Sequence, residues 1–224
     1  MPRPRSLSDP VIAAAALAVI DRDGLSGLSM RAVASQLDMG AMSLYRYVDG
    51  RQEIERLVVD LVFRSVDPVV SRRASWTRQI TELSERVYRS VAAHPAVIPL
   101  LLVHFQFSPS AWRWLDAVLR SLTRAGFTAP QRVVAVRCLQ AYVIGALESQ
   151  ALNPLSGEGT ASLTGLSLTD YPLIIETALT ALTVTPEQEF GDGLAIVLEG
   201  LRAIAPGAAR HRPRSSRNPG GRAS

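Results

Sequence analysis

Residues 41–47 bring together side chains suited to contact with a nucleic acid. Ala41 and Ser43 are small, so the backbone of a helix that carries them can approach base edges, and Met42 can touch a thymine methyl group. Longer polar side chains of the types that contact phosphates follow at the end of the segment: Tyr45, Arg46 and Tyr47. The segment therefore predicts a helix that enters the major groove of DNA.

Three neighbouring residues complete the predicted DNA-binding set. Gly40 immediately precedes the segment, and Arg51 follows it as a further phosphate ligand. Arg31 lies earlier in the chain and is long enough to reach a base edge or a phosphate. On the pattern alone, a helical bundle without any DNA-binding role explains the same residues, so the elements that position them matter.

Two short helices joined by a tight turn are predicted to hold these side chains. A first helix begins at Ser8 or Asp9 and ends at Gly24, and Ser29 then caps a short second helix. Asp38-Met39-Gly40 forms the turn before the 41–47 helix. Apolar residues at helical spacing lock the pair to its neighbours: Val33, Leu37, Leu44 and Val48. This order matches the helix-turn-helix plan.

The rest of the chain is also predicted to be helical, so the fold class is all-α. A fourth helix carries a full apolar stripe, and further stripes follow as far as Ile204. Thr128-Ala-Pro-Gln131 and Thr185-Pro-Glu-Gln188 are capping boxes, which mark the starts of two long helices. Residues 154–169 are rich in Gly, Ser and Thr and predict a flexible loop. Strand-like alternation of apolar and polar residues is absent from the sequence.

A second candidate site lies in a dense aromatic stretch of the later helices. Pockets for flat, drug-like molecules are apolar and aromatic with a few placed polar groups. The stretch supplies such side chains, and they form the first part of the predicted ligand-binding set: His104, Phe105, Phe107, Trp112 and Trp114. The alternative is that these rings fill the core and that His104 is a hydrogen-bonded core residue.

Composition excludes several other classes of protein. The chain has 224 residues and a single cysteine, Cys138, which excludes a disulfide framework and is expected to be a buried, inert thiol. No cluster of His and Cys has zinc-ligand spacing, and no catalytic constellation stands out. The longest apolar runs are too short to span a bilayer. We therefore expect a cytoplasmic protein without a membrane partner.

The net charge of +4 belongs to the end of the chain. Residues 206–224 contain five arginines and no acidic residue, whereas residues 1–66 are neutral overall. This basic tail is predicted to be disordered and to attract DNA without sequence preference. Arg3 and Arg5 form a short basic arm that is either a minor-groove contact or a disordered start.

Residues 24–54 resemble the N-terminal domain of TetR-family transcriptional regulators. The resemblance rests on a glycine-led turn, the sequence LSMRAVA, the sequence LYRYV and a basic residue after it. Two departures stand out. Asp38 replaces the usual turn glycine, which aspartate tolerates at moderate cost. Asp49-Gly50-Arg51 replaces a lysine-containing loop and leaves Arg51 as the basic candidate there.

The later part of the chain resembles the ligand-binding domain of the tetracycline-repressor subgroup. The motifs SW (75–76), RAGF (124–127) and GALESQ (145–150) occur in the expected order. The resemblance implies a dimer through the last two long helices, and glycines on those helices independently favour close helix approach: Gly145, Gly191, Gly193 and Gly200. Glu148 aligns with a glutamate that serves the drug–magnesium complex in that subgroup, and joins the ligand-binding set. His104 is displaced and no threonine matches, so no metal or cofactor is predicted.

These observations predict a homodimeric repressor that binds a palindromic DNA operator and is released by a small, aromatic effector. The predicted domains are 1–66 for DNA binding, 67–205 for ligand binding and dimerisation, and the tail 206–224. An activator or a ligand-independent regulator of the same fold shares the DNA-binding evidence. A helical-bundle enzyme is the third alternative and lacks a catalytic constellation in the sequence.

Overall fold

The computed structural model describes residues 7–205, and within this range the chain is all-α, as predicted. The N-terminal part contains four helices: α1 (Asp9–Gly27), α2 (Met30–Gln36), α3 (Ala41–Leu44) and α4 (Arg51–Arg64). The remainder contains seven: α5 (Trp76–Ala92), α6 (Ile98–His104), α7 (Pro109–Arg124), α8 (Ala129–Leu152), α9 (Glu158–Leu163), α10 (Pro172–Ala181) and α11 (Pro186–Ile204). Short 3-10 turns, Pro95–Val97 and Phe105–Phe107, flank α6. Arg3, Arg5 and the tail 206–224 lie outside the described residues.

The helix-turn-helix forms where the sequence predicted it. The regular geometry of α1 breaks at Gly24, which has a φ of 70°, and the Ser29 hydroxyl caps α2 by accepting the Ala32 N–H at 3.1 Å. Asp38 adopts a left-handed φ of 54° in the turn, so the chain turns there without glycine. Val33 and Leu44 are fully buried and pack the pair against α1 and α4.

The α-helix of the predicted recognition segment is shorter than the sequence suggested. It ends at Leu44, and residues 45–47 continue in turns instead of completing an α-helix to Tyr47. The Arg46 N–H donates to Ser43 and the Tyr47 N–H to Leu44, which is the three-residue spacing of a tightened last turn. The tightening lets Val48 enter the core only one residue after the exposed Tyr47.

The C-terminal helices share one apolar core with α4. The buried stripe of α5 faces α7 and α8, and the Trp114 indole N–H donates to the Leu83 carbonyl at 3.0 Å. The capping box at the start of α11 is present in full: the Thr185 hydroxyl accepts the Gln188 N–H, and the Gln188 side chain accepts the Thr185 N–H. Since α4 packs against α1 on one side and against α6 and α7 on the other, it connects the two parts of the molecule.

The segment 154–169 is not the continuous loop that its composition suggested. It contains α9, which packs against α10, and Thr160 of α9 is buried. Small polar residues have low helix propensity, and packing against α10 stabilises the short helix that they form here. Across residues 7–205 no single helix is long and apolar enough to cross a membrane. The pair Trp76–Ala92 and Pro95–Phe107 passes that test only together, with a bend of 101°.

Candidate nucleic-acid interface and ligand cavity

The end of α3 and the turn after it present large side chains to solvent. Met42 is 81% exposed, and Tyr45 and Tyr47 are about half exposed, although Leu44 between them is fully buried. Exposed apolar and aromatic side chains grouped in this way mark a surface that binds a partner. The recognition surface, as we call Met42, Tyr45, Arg46 and Tyr47, is therefore available to a groove of DNA.

The guanidinium groups nearest this surface have few competing contacts. Arg31 on α2 and Arg46 are exposed, and neither side chain has a hydrogen-bond or ion-pair partner among residues 7–205. Gly40 is the N-cap residue of α3, and a Cβ built on it would meet no atom within 4 Å. Ala41 and Ser43 are half-buried and leave the N-terminal end of α3 narrow. The predicted DNA-binding residues around α3 are therefore accessible from solvent.

Arg51, which is predicted to contact a phosphate, also makes contacts within the protein. Its guanidinium donates to the backbone carbonyls of Leu28, at 3.0 Å, and Leu25, at 3.3 Å, and to the Glu55 carboxylate at 2.7 Å. These contacts fasten the start of α4 to the segment between α1 and α2. In this structure Arg51 positions the helix-turn-helix, because three of its five N–H donors are bound within the protein.

Glu55 extends this connection to the C-terminal helices. Its second carboxylate oxygen lies 3.0 Å from Nε2 of His104 at the end of α6, and the two side chains are 12% and 5% exposed. Burial raises the pKa of the Glu55 carboxyl, but the hydrogen bonds from Arg51 and His104 outweigh burial and hold that pKa below its ordinary value. The ionised carboxylate only accepts, so His104 donates through Nε2.

His104 therefore does not line a ligand cavity, contrary to the prediction. Its ring is turned towards Glu55, and its buried Nδ1 has no hydrogen-bond partner within the described part of the chain. Phe107 and Trp112 also lie elsewhere, because both are about half exposed on the outer surface. The Arg56 guanidinium stacks over the Phe107 ring at 4.4 Å, and the Trp112 indole N–H donates to the Gln106 carbonyl at 3.0 Å.

A cavity of about 690 Å³ lies between α6, α7 and α8. Three predicted ligand-binding residues, Phe105, Trp114 and Glu148, lie on its wall. Further apolar residues from four helices complete it: Phe63, Val87, Leu101, Leu102, Val133, Val134, Ala141, Val143, Ile144 and Leu147. A largely apolar cavity of this volume suits a drug-sized molecule.

Two polar residues of α8, Arg137 and Gln140, line this cavity and were not among the predicted ligand-binding residues. With Glu148 they share one face of the helix, where the lining residues recur at intervals of three and four: Arg137, Gln140, Ala141, Ile144, Gly145 and Glu148. Their helical spacing indicates a shared face of α8. Apolar residues occur all around this helix, so the spacing did not distinguish the polar face in the sequence. Cys138 also lines the cavity and is exposed, which corrects the expectation of a buried thiol.

The residues present do not form the magnesium–drug site of the tetracycline-repressor subgroup. Within residues 7–205 no group of three His, Cys, Asp or Glu side chains is placed to hold a metal ion. Glu148 lies on the cavity wall, whereas His104 is engaged by Glu55 outside it. The cavity is therefore treated below as a site for an organic molecule alone.

The family model described as the tetracycline repressor-like C-terminal domain matches residues 70–205. The chain belongs to the TetR family. It is accordingly a transcriptional regulator, with an N-terminal helix-turn-helix and a C-terminal ligand-binding domain. Because this is a family of regulators, the helical-bundle enzyme considered above is set aside.

Named members of the TetR family are similar along most of the chain. The transcriptional repressor DrrR1 of Streptomyces coeruleorubidus is 32% identical over 91% of this chain and 80% of its own length. A class A tetracycline repressor of Escherichia coli is 27% identical over 84% of this chain and 87% of its own. The TetR-family protein ActR of Streptomyces coelicolor, solved with actinorhodin, superposes with a TM-score of 0.79 at 25% identity, over 92% of this chain and all of its own.

Proposed function

We propose that this TetR-family regulator is a repressor that binds a palindromic operator as a homodimer and is released by a small aromatic molecule. The observation that carries the proposal is the exposed recognition surface, since its Arg46 guanidinium and that of Arg31 on α2 have no partner among residues 7–205. A dimer repeats this surface, and two copies fit half-sites about 34 Å apart, one turn of DNA. The names of DrrR1 and of the tetracycline repressor support repression over activation.

Electrophoretic mobility shift on DNA from the intergenic region upstream of the regulator's own gene tests this proposal. We expect saturable retardation that survives an excess of shuffled competitor DNA, because base contacts, unlike phosphate contacts, depend on sequence. Equal competition by shuffled DNA would contradict operator recognition. A reporter gene placed under the same DNA separates repression from activation by the direction of its response.

Homodimerisation is supported by surface features of α11 that the cavity does not use. Ile196 on this helix is 74% exposed in the single chain. A Cβ on Gly191 or Gly200 would meet no atom within 4 Å, which leaves room for a second copy. Gly193 is different, because Tyr142 of the same chain fills the space beside it. The close approach predicted at that glycine is thus made within one chain.

Ile196→Glu is expected to weaken dimerisation by at least about 100-fold, since a two-fold interface receives the buried charge twice. Ile196 is 74% exposed in the single chain, so the substitution leaves the core intact. Sedimentation velocity measures the oligomeric state, and Val69→Glu, an exposed residue before α5, serves as the control. A dimer that tolerates Ile196→Glu would move the interface away from α11.

The ligand response follows from the cavity between α6 and α8. Actinorhodin and (S)-DNPA are the ligands with which ActR was crystallised, and the apolar cavity here is suited to molecules of similar size. A bound compound should protect Cys138 from alkylation, because this thiol lies on the cavity wall. Release requires tighter binding to the form that does not bind DNA. A compound that protects Cys138 without changing operator affinity would contradict release.

Deletion of residues 206–224 is expected to reduce nonspecific DNA binding and to leave operator choice intact. The tail carries five arginines and no acidic residue, so its loss removes counterion-releasing contacts. The slope of log K against log salt should flatten by as much as about 4 per protomer. Titrations at several salt concentrations measure the slope on operator and on shuffled DNA. Loss of discrimination between the two DNAs would assign base recognition to the tail.

A further inference from the structure

Opposite charges lie at the two ends of the cavity face of α8. Arg137 and Glu148 both line the cavity and are eleven residues apart, which separates them by about 16 Å along the helix axis. Neither side chain has a hydrogen-bond or ion-pair partner among the described residues. In the single chain Arg137 is exposed and Glu148 is half-buried, so water solvates both groups. A ligand that covers them must replace the hydrogen bonds that this water makes.

The stretch of α8 between these charges includes two small residues that line the cavity. They are Ala141 and Gly145, and a Cβ on Gly145 would meet no protein atom within 4 Å. Aromatic rings stand on another part of the wall, where Phe105 and Trp114 meet edge to face with ring centroids 6.2 Å apart. A small-residue surface and an aromatic surface in one cavity suit a planar ring system.

We propose that the effector is an elongated planar aromatic molecule with an acidic group at one end and a basic group at the other. This inference rests on the proposed function, since it describes the ligand of the same cavity. The acidic group accepts hydrogen bonds from the Arg137 guanidinium, and the basic group donates to the Glu148 carboxylate. Gln140 and Gln106 on the same wall offer a donor and an acceptor to further polar substituents.

The arrangement also excludes simpler ligands. A neutral aromatic molecule would remove water from both charged groups and return no hydrogen bond to either. A molecule with one charged group would satisfy one end and leave the other desolvated. The length matters equally, because the two residues are about 16 Å apart along the axis of α8, and a single ring is much shorter than that spacing. Binding should therefore require both charges on one rigid ring system.

Isothermal titration with four synthetic probes tests this proposal on the full-length protein. The bifunctional probe is 6-(aminomethyl)anthraquinone-2-carboxylic acid. Anthraquinone-2-carboxylate and 2-(aminomethyl)anthraquinone carry one charge each, and anthraquinone carries none. We expect the bifunctional probe to bind at least about 10-fold more tightly than either singly charged probe, and to protect Cys138 from alkylation. Equal affinities, or tightest binding by neutral anthraquinone, would overturn the proposal, as would absence of binding by the bifunctional probe.

Two substitutions test which charged residue contacts each end of the ligand. Arg137→Gln should lower the affinity for probes that carry the carboxylate by about 10-fold. Glu148→Gln should lower the affinity for probes that carry the amine by about 10-fold. Arg72→Gln and Glu176→Gln, which change exposed residues away from the cavity, are the matched controls. If neither cavity variant alters the order of probe affinities, Arg137 and Glu148 do not recognise the charged groups of the ligand. Operator binding without probes is measured separately, so failure here is distinguishable from failure of DNA recognition.

Discussion

Replacement of Arg46 and Tyr47 together by alanine is expected to weaken operator binding by at least about 100-fold. Both side chains are exposed at the end of the recognition surface, and the Arg46 guanidinium has no partner within residues 7–205. One DNA contact is worth about 1–3 kcal/mol, and a dimer loses each contact twice. Fluorescence anisotropy with labelled operator measures the loss. Because neither side chain is in the core, the variant should keep its thermal stability.

Arg64→Ala is the matched control for that variant. Arg64 is also an exposed arginine of the N-terminal part, but it lies at the far end of α4, about 20 Å along the helix from Arg51. Its loss should change operator affinity less than about threefold, because it removes charge without removing a groove contact. Equal losses in the two variants would mean that total charge, and not the recognition surface, determines binding.

Glu55→Ala is expected to lower the free energy of unfolding by about 3 kcal/mol. The substitution leaves His104, which is 5% exposed, without an acceptor for its Nε2 proton. It also releases Arg51, although that loss is smaller because the Arg51 side chain is about half exposed. Urea denaturation measures the change. Asp116→Ala, which breaks an exposed pair with Arg120, should cost less than about 0.5 kcal/mol.

The pH dependence distinguishes the loss of this carboxylate from a general loss of packing. The pKa of Glu55 is lowered in the folded protein, so its contribution is present above its unfolded pKa, about 4.5. The contribution declines as the pH falls through the folded pKa, and the gap between wild type and Glu55→Ala should narrow there. A gap that is constant down to that range would assign the effect to packing. With His104→Ala, the two losses should be less than additive.

Much of the helix-turn-helix was predictable because local chemistry determines it. Ser29 caps α2, and Asp38 takes the left-handed turn conformation that its short polar side chain tolerates. The short α3 was not predictable, because the tightened turn that brings Val48 into its predicted place in the core depends on packing against α1 and α4. α9 was missed for the same reason, since its sequence is typical of a loop until α10 packs on it.

The ligand cavity was only half predictable, since residue type does not give the direction of a side chain. The aromatic stretch of residues 104–114 contributes Phe105 and Trp114 to the wall, but adjacent Phe107 and Trp112 point outward. Arg51 and His104 share Glu55 because α4 crosses α6, which is a property of the fold alone. The residues of α8 that line the cavity, by contrast, follow from its helical periodicity once one face is known to border a cavity.

Tyr142 and Gly193 constrain each other in a way that should be visible in evolution. The Tyr142 hydroxyl donates to the Phe190 carbonyl at 2.6 Å, and a Cβ on Gly193 would lie 2.3 Å from that hydroxyl oxygen. Any side chain at position 193 therefore requires the ring of Tyr142 to shift or the residue at position 142 to become smaller. The pair should covary among relatives that keep the contact between α8 and α11.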